Sequence, residues 1–436
     1  MFAYYFELGL RSLRRNPVLT GLMIITIAFG VAASMTMYSV FRAVSNNPIP
    51  QKSSRLYAVQ IDNFGPQNNQ HGEPPDELDY IDAMALLKAH KALRQAALYP
   101  VKLSVISDDA SQLPIRPATY AVSNNAFAMF DIPFLYGGGW GAAEDDNRAS
   151  VVVIGRALND RLFHGANSVG REINLSGHNY RIVGVMDSWD PKPLFFDLAS
   201  NGGFADAIEL FIPMSRAVDL QLITTGSTDC VDENYGTGWD AFLRSGCSWV
   251  VYWAELPNKA DADAYRQYLH DYAAEQQRVG RYAWAPNVRL RDVAQWLDYE
   301  HVVPPESKLS FYLSLGFLAI CLVNTVGLLL AKFMRRAAEI GVRRALGASR
   351  RTVYAQFLME GATIGLAGGV LGLLLTGVGV WSVGLIFDAQ IARLATLDVS
   401  LVALTLLVAV LAALLAAFYP TWRAAQVAPA WQLKSN

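Results

Sequence analysis

The sequence predicts an integral membrane α-helical protein with four transmembrane helices and a large mixed α+β domain inserted between the first and second helices. The main observation is a set of four long apolar runs with almost no ionisable side chains, the third carrying only Glu360 near its start. A helix rises about 1.5 Å per residue, so roughly 20 apolar residues cross the hydrocarbon core of a bilayer. The transmembrane helices are therefore predicted over residues 18–43, 309–331, 354–387 and 399–419.

Basic side chains are concentrated in the segments at one side of these helices. The loop at residues 332–353 contains seven Lys and Arg side chains against Glu339 alone, whereas the whole chain has a net charge of −2. Because positively charged loops remain in the cytoplasm, both termini, this loop and the tail at 420–436 are predicted to be cytoplasmic. Residues 44–308 and the short loop at 388–398 are then extracytoplasmic.

Residues 1–17 place apolar side chains on one helical face and arginines around the other. This pattern is typical of an amphipathic helix on the cytoplasmic surface of a membrane. The alternative is an ordinary charged flank that only sets the topology. The apolar run that follows is longer than the 7 to 15 or so residues of a signal-peptide core, so we expect an uncleaved anchor.

The external segment, residues 44–308, is long enough to form a folded domain with its own core. Alternating or continuous apolar runs predict strands at residues 151–154, 180–185 and 249–256. Helical spacing predicts helices at residues 76–90 and 259–277, the second capped by Asn258.

Two of the three cysteines, Cys230 and Cys247, lie in the external segment, and Cys321 lies in the second apolar run. An oxidising compartment favours a disulfide between Cys230 and Cys247, with two separate thiols as the alternative. Cys321 is interpreted as a small apolar packing residue.

Motifs that would indicate catalysis are absent from the sequence. The Gly-Lys dipeptide of a phosphate-binding loop never occurs, and the six histidines are scattered without metal-binding spacing. Glu144, Asp145 and Asp146 are interpreted as solvated loop carboxylates and not as a metal site. We therefore predict no catalytic site and no bound metal, and the acidic external segment argues against a nucleic-acid partner.

The third apolar run carries small residues at helical spacing, which permit close approach of helices. Either packing within one subunit or a subunit interface would use them. Asn324 in the second run is interpreted as a polar side chain that hydrogen-bonds between helices. The packing glycines are Gly361, Gly365, Gly368, Gly369 and Gly372.

The basic loop contains a helix-prone segment, EIGVRRALGASRR at residues 339–351. Ile340, Val342 and Leu346 would give it an apolar contact face, while its arginines could meet acidic groups or lipid phosphates. Gly347 is predicted to end the short helix. The alternative is that the arginines only set the topology.

Three stretches carry a resemblance to a known family. The segment RRAAEIGVRRALGASRRTVYAQFLMEGATIGLAGGVLG resembles the signature of the FtsX-like permease family, whose best-known branch is the MacB-type ABC transporter. The tail resembles that family's P-x-x-R-A-A-x-x-x-P-x-x-x-L pattern, through Pro420, Arg423, Ala424, Ala425, Pro429 and Leu433. Residues 120–187 are similar to the MacB-type periplasmic core domain.

The resemblance implies a standalone permease subunit that pairs with a separate cytoplasmic ABC ATPase dimer, which would bind ATP and Mg²⁺; no cofactor is expected in this chain. In the family, the loop matching residues 339–351 is a coupling helix that docks on the ATPase. The other implied partners are a second permease subunit of the same or a related chain, a periplasmic adaptor, an outer-membrane duct and membrane lipid. The implied coupling residues are Glu339, Ile340, Gly341, Val342, Arg343, Arg344, Leu346, Gly347, Ala348 and Arg350.

The mechanism implied by the family is mechanotransmission, in which ATP hydrolysis drives movement of the periplasmic domains. The family's external domain has a porter-like part, mapped to residues 44–112 with 248–308, and an inserted part, mapped to 113–247. The favoured function is efflux of a substrate from the periplasm in a tripartite system. The alternatives are a lipoprotein-extraction permease of the LolC kind and an FtsX-like regulator of a cell-wall hydrolase that transports nothing.

Overall fold

The computed structural model describes residues 16–69, 71–106, 113–232, 234–386 and 398–425. The chain divides into two compact units: Met1–Ser45 together with Val303–Asn436, and Asn46–Val302. The predicted amphipathic segment before residue 16, the loop at 388–397 and the tail from 426, with Pro429 and Leu433, lie outside the described residues.

The described helices, in chain order, are α1 Pro17–Val44, α2 Tyr80–Ala89, α3 Ala126–Met129, α4 Ala142–Asp146, α5 Arg156–Phe163, α6 Leu198–Asn201, α7 Met214–Asp219, α8 Trp239–Leu243, α9 Lys259–Arg278, α10 Val293–Tyr299, α11 Pro305–Met334, α12 Ala337–Ala345, α13 Arg350–Ile386 and α14 Val399–Ala425. The described strands are β1 Leu56–Ile61, β2 Leu78–Asp79, β3 Arg94–Val101, β4 Val105–Ile106, β5 Thr119–Val122, β6 Phe134–Gly137, β7 Val151–Gly155, β8 Glu172–Leu175, β9 His178–Met186, β10 Leu210–Pro213, β11 Ser248–Glu255 and β12 Val288–Asp292.

The first unit is a bundle of the long helices α1, α11, α13 and α14. The short helix α12 lies between α11 and α13 along the chain. Among the described residues, these four helices are the ones long and apolar enough to cross a membrane, which confirms the prediction of four transmembrane helices. Pro17 and Pro305 stand in the first turns of α1 and α11, where a missing N–H costs nothing because it would have no helical partner. Asp398 caps α14 by accepting a 2.8 Å hydrogen bond from the Leu401 N–H.

The second unit, Asn46–Val302, is built on a twelve-stranded mixed sheet. The strand order is β12-β1-β11-β3-β5-β10-β7-β9-β8-β4, with β2 paired to β11 and β6 paired to β9. Most neighbours are antiparallel, but β5 with β10 and β7 with β9 are parallel. The mixed α+β architecture predicted for the external segment is confirmed.

The sheet is covered on both faces, so its central strands are buried throughout. Along β11, Tyr252 and Ala254 enter one hydrophobic core, whereas Val251 and Trp253 enter the other. Successive side chains of a strand point to opposite faces, which is why a continuous apolar run was needed here. The sheet also continues through both predicted parts of the domain, and β4, from the porter-like part, pairs with β8 of the inserted part.

The predicted helix at residues 259–277 is confirmed as α9, and the Asn258 side chain accepts a 3.0 Å hydrogen bond from the Asp261 N–H. The predicted helix at residues 76–90 was wrong at its start, because α2 begins at Tyr80. Leu78 and Asp79 pair with β11 instead, and Asp79 caps α2 by accepting a 2.8 Å hydrogen bond from the Asp82 N–H.

Cys230 and Cys247 form a disulfide, as predicted. Between them lies α8, whose Phe242 ring stacks on Trp249 of β11 with ring centroids 5.2 Å apart. The backbones of Asp229 and Ser248 form a β-bridge beside the disulfide. The disulfide therefore holds a loop with little regular structure against the hydrophobic core that contains Tyr252 and Ala254.

Removal of this disulfide by Cys230→Ser together with Cys247→Ser is expected to destabilise the Asn46–Val302 unit by about 3 kcal/mol, because closing a loop of this length restricts the unfolded chain. The measurement is the urea midpoint of the unit under oxidising conditions. A reductant should lower the midpoint of the natural sequence to that of the double variant and leave the variant itself unchanged. Equal midpoints for the oxidised natural sequence and the variant would contradict this prediction.

Candidate functional site

The segment singled out in the sequence forms α12 and the turn that follows it. Gly347 has a φ of +99°, a backbone conformation that favours glycine, and α13 begins three residues later at Arg350. The Ser349 hydroxyl accepts a 3.1 Å hydrogen bond from the Thr352 N–H and so caps α13. The side chains of Ile340 and Arg344 are not among those that the structure describes.

The exposed side of this segment is both apolar and basic. Val342 is 58% exposed and Leu346 is 84% exposed, while Arg350 is also exposed and Ala348 is half-buried. Gly341, in contrast, lies on the buried side of α12. Two exposed apolar side chains one helical turn apart, in a segment with exposed cations, form a surface suited to binding another protein.

Two of the predicted coupling residues, Arg343 and Glu339, bind each other while both side chains stay partly exposed. Arg343 Nη2 lies 2.6 Å from Glu339 Oε1, one helical turn away, and Arg343 Nη1 donates a 3.0 Å hydrogen bond to Gln356 Oε1 of α13. Glu339 Oε2 also lies 3.2 Å from Nε of Arg336. These contacts fix α12 against the start of α13. No pattern in the sequence of this segment indicated the contact between Arg343 and Gln356.

The predicted packing glycines lie on two sides of α13. A Cβ atom added at Gly361, Gly365 or Gly369 would lie 2.7, 2.5 or 2.9 Å from the Cβ of an alanine on α14. The facing alanines are Ala417, Ala413 and Ala409, in that order. Small residues at spacing four on both helices let the two backbones approach closely.

Gly368 and Gly372 lie on the other side of α13, against α1. A Cβ atom added at Gly368 would lie 3.0 Å from a methyl of Ile27, and one added at Gly372 would lie 3.3 Å from the Ala28 carbonyl oxygen. The structure therefore uses all five glycines for packing within one chain. Asn324 is exposed on α11, whereas the neighbouring Thr325 is buried and donates a 2.8 Å hydrogen bond to the Cys321 carbonyl.

The Asn46–Val302 unit contains an open cavity of about 530 Å³ between α2, β3, α4 and α7. Its walls include Met84, Leu87 and Val218, and Lys88 and Asp146 are exposed at its margin. Sequence spacing could not indicate this cavity, because α2 and β3 are neighbours along the chain but α4 and α7 lie far from them and from each other. Its mixed lining would suit an amphipathic molecule better than a purely polar one.

Asp145 at this cavity corrects one sequence interpretation, since it is not a solvated loop carboxylate. It lies in α4, half-buried, and accepts hydrogen bonds from the Asn124 N–H at 2.7 Å and from Trp140 Nε1 at 2.9 Å. Burial raises the pKa of Asp145 to about 6, although both hydrogen bonds oppose the shift. Its role in the structure is to join α4 to the segment after β5.

Both units of the chain match known protein families. The MacB-like periplasmic core domain matches residues 20–272, and the FtsX-like permease C-terminal region matches residues 311–429. The macrolide export ATP-binding/permease protein MacB of Azoarcus sp. is 23% identical over 88% of this chain and 52% of that protein. The uncharacterized ABC transporter permease YvrN of Bacillus subtilis is 22% identical over 86% of each chain.

This chain thus spans about half the length of the MacB relative. Among solved structures, the periplasmic region of MacB from Actinobacillus actinomycetemcomitans matches 57% of this chain and 94% of that one, at 12% identity and a TM-score of 0.36. The sequence match to the periplasmic core domain covers more than half of the chain, and the FtsX-like match covers the three helices α11, α13 and α14. The chain belongs to the MacB/FtsX family of ABC transporter permeases.

Proposed function

We propose that this chain is the non-catalytic permease subunit of an ABC transporter that works by mechanotransmission. A separate cytoplasmic ATPase dimer binds ATP and Mg²⁺, and its closure moves α12. The movement passes through the long helices to the periplasmic domains of two permease subunits, which drive a substrate out of the periplasm through an adaptor and an outer-membrane duct. Membrane lipid surrounds the four helices.

The observation that carries this proposal is the exposed face of α12 and its following turn. Val342 and Leu346 are exposed in a segment that also carries cationic side chains. Arg343 of the same helix binds Glu339, which holds the segment in its helical form. Such a face fits a groove that is apolar in its centre and acidic at its rim. The positive charge of the loop supports a cytoplasmic location for this face and for both termini.

The identity of the partners is tested by tagging the full chain, extracting it gently from its native membrane, and identifying co-purified proteins by mass spectrometry. We expect an ABC ATPase, a periplasmic adaptor and an outer-membrane duct, with ATPase activity in the same sample. Lipoproteins in place of the adaptor would favour the extraction function, and a cell-wall hydrolase would favour the regulatory one. Absence of any ATPase would refute the proposal.

Leu346→Glu is expected to reduce the amount of co-purified ATPase at least tenfold, because it removes an apolar contact and adds an anion to a surface that meets acidic groups. The matched control is Leu113→Glu, the same substitution at a side chain of similar exposure, 88% against 84%, in the other unit. The readout is the ratio of ATPase to tagged chain. The docking role of α12 fails if Leu346→Glu retains the ATPase as well as Leu113→Glu does.

A further inference from the structure

The bundle contains a buried pair of opposite charges that none of the sequence arguments singled out. Lys332 near the end of α11 and Glu360 in the first third of α13 are 1% and 2% exposed, and Lys332 Nζ lies 2.7 Å from Glu360 Oε1. Two charges inside an apolar bundle cost desolvation free energy unless both find several partners. Each of them has a second partner here.

The second partner of each charge belongs to a different part of the bundle. Lys332 Nζ donates a 3.1 Å hydrogen bond to the hydroxyl of Thr20, which is buried on α1. Glu360 Oε2 lies 2.9 Å from Nη1 of Arg336, in the turn between α11 and α12. The guanidinium of Arg336 also lies over the Phe357 ring of α13, 5.5 Å from the ring centroid.

Arg336 continues the contacts to α12, because its Nε lies 3.2 Å from Glu339 Oε2 and Glu339 in turn binds Arg343. An unbroken series of charged contacts therefore leads from the helix proposed to bind the ATPase to α1. We call this series, Arg343–Glu339–Arg336–Glu360–Lys332–Thr20, the charge relay.

The relay ends on the two helices that connect by sequence to the external unit. α1 ends at Val44, just before that unit begins at Asn46, and α11 begins at Pro305, just after it ends at Val302. A displacement of α12 that draws Arg336 away would remove a cationic partner of the buried Glu360. That state is unfavourable in an apolar environment, so α1, α11 and α12 are energetically favoured to move together.

We propose that Glu360 and Arg336 are positioning residues of the relay, which transmits displacement of α12 to the two helices that enter the external domain. This inference rests on the proposed function, since it assumes that an ATPase moves α12. It differs from docking, because Glu360 is buried and is not part of the exposed face of α12.

The test uses the full chain with the ATPase that co-purifies with it, in a Cys321→Ala background with the Cys230–Cys247 disulfide oxidised. A cysteine introduced at Ser45, the exposed residue that caps the end of α1, is labelled with a maleimide with and without Mg²⁺ and ATP. The variants are Glu360→Gln and Arg336→Gln. The matched control is Arg335→Gln, which removes the same charge from the adjacent, exposed position.

We expect ATP to change the labelling rate in the natural sequence and in Arg335→Gln. In Glu360→Gln and Arg336→Gln this ATP-dependent change should fall at least tenfold, while the co-purified ATPase stays within twofold of its usual amount. Glu360→Asp, which keeps the carboxylate, should restore part of the change. Arg336→Gln leaves the Lys332–Glu360 pair in place, so it decides the question if Glu360→Gln does not fold.

The relay is refuted if Arg336→Gln retains the full ATP-dependent change, if Arg335→Gln loses it equally, or if the relay variants lose the ATPase itself. A natural sequence that binds no ATPase, or whose labelling does not respond to ATP, refutes the proposed function instead.

Discussion

Gly365→Ala is expected to destabilise the helical unit, although alanine is normally the better helix former. The added methyl would lie 2.5 Å from the Ala413 Cβ and 3.0 Å from the Ala409 carbonyl oxygen, so α13 and α14 must move apart. Overpacking of this kind typically costs about 1–3 kcal/mol, more than the roughly 1 kcal/mol gained in helix propensity. The measurement is the apparent melting temperature of the full chain in detergent, read as the loss of the folded peak in size-exclusion chromatography after heating.

Gly316→Ala is the matched control, since nothing in the described structure lies within 4 Å of a Cβ atom added at Gly316. This control should melt at or above the temperature of the natural sequence. Adding Ala413→Gly to Gly365→Ala should recover part of the loss, because it removes the methyl that is contacted most closely. Equal melting temperatures for Gly365→Ala and Gly316→Ala would show that close packing at Gly365 does not stabilise the bundle.

Glu77→Gln is expected to reduce the pH dependence of the stability of the Asn46–Val302 unit. Glu77 is 3% exposed, and its Oε1 has no hydrogen-bond partner among the described residues. Burial, and then the charges of Asp197, Asp76 and Asp229, raise its pKa from 4.5 to about 9. The folded unit therefore keeps a proton on Glu77 that the unfolded chain releases at neutral pH.

The direction of the pH effect follows from this difference in bound protons. The stabilising contribution is complete below pH 4.5 and is lost as the pH rises toward about 9. Each pH unit in this interval lowers the free energy of unfolding by up to about 1.4 kcal/mol for one such group, so pH 5 and pH 8 should differ by up to about 4 kcal/mol. Glutamine resembles the protonated carboxyl and does not titrate, which removes this contribution.

The measurement is the urea unfolding free energy of the unit at pH 5, 6, 7 and 8, for the natural sequence and for Glu77→Gln. Glu300, whose pKa burial and Asp76 raise to about 8, adds a dependence of the same sign, so the variant should retain a smaller slope. Glu275→Gln, at an exposed position on α9, should leave the slope unchanged. Parallel pH profiles for the natural sequence and Glu77→Gln would contradict the assignment.

Local sequence patterns were sufficient wherever one segment contains the whole signal. The length of an apolar run is enough to identify a spanning helix, as in the four helices of the bundle. Asn258 caps α9 through an amide three residues away, and Gly347 ends α12 by its own backbone conformation. The disulfide also followed from the position of two cysteines in one external segment.

The candidate site was predictable only in part, because some of its contacts join segments that are distant in the sequence. The exposed face of α12 could be located from its sequence, but the contacts of Arg343 with Glu339 and Gln356 could not. Asp145 was interpreted as solvated because its partners, Asn124 and Trp140, are not indicated by an acidic run. Each case includes a partner that lies on another segment, Gln356 for Arg343 and Asn124 for Asp145.

The sequence by itself determined the number of membrane helices, the placement of a mixed α+β domain between the first two, and the disulfide, because apolar length, period and position are local properties. Only the tertiary structure decided which alanines face the glycines of α13, that one sheet joins the described strands of the Asn46–Val302 unit, and that Lys332 binds Glu360 inside the bundle. Those pairings join residues far apart in the chain, and their free energy depends on burial that exists only once the helices and strands have packed.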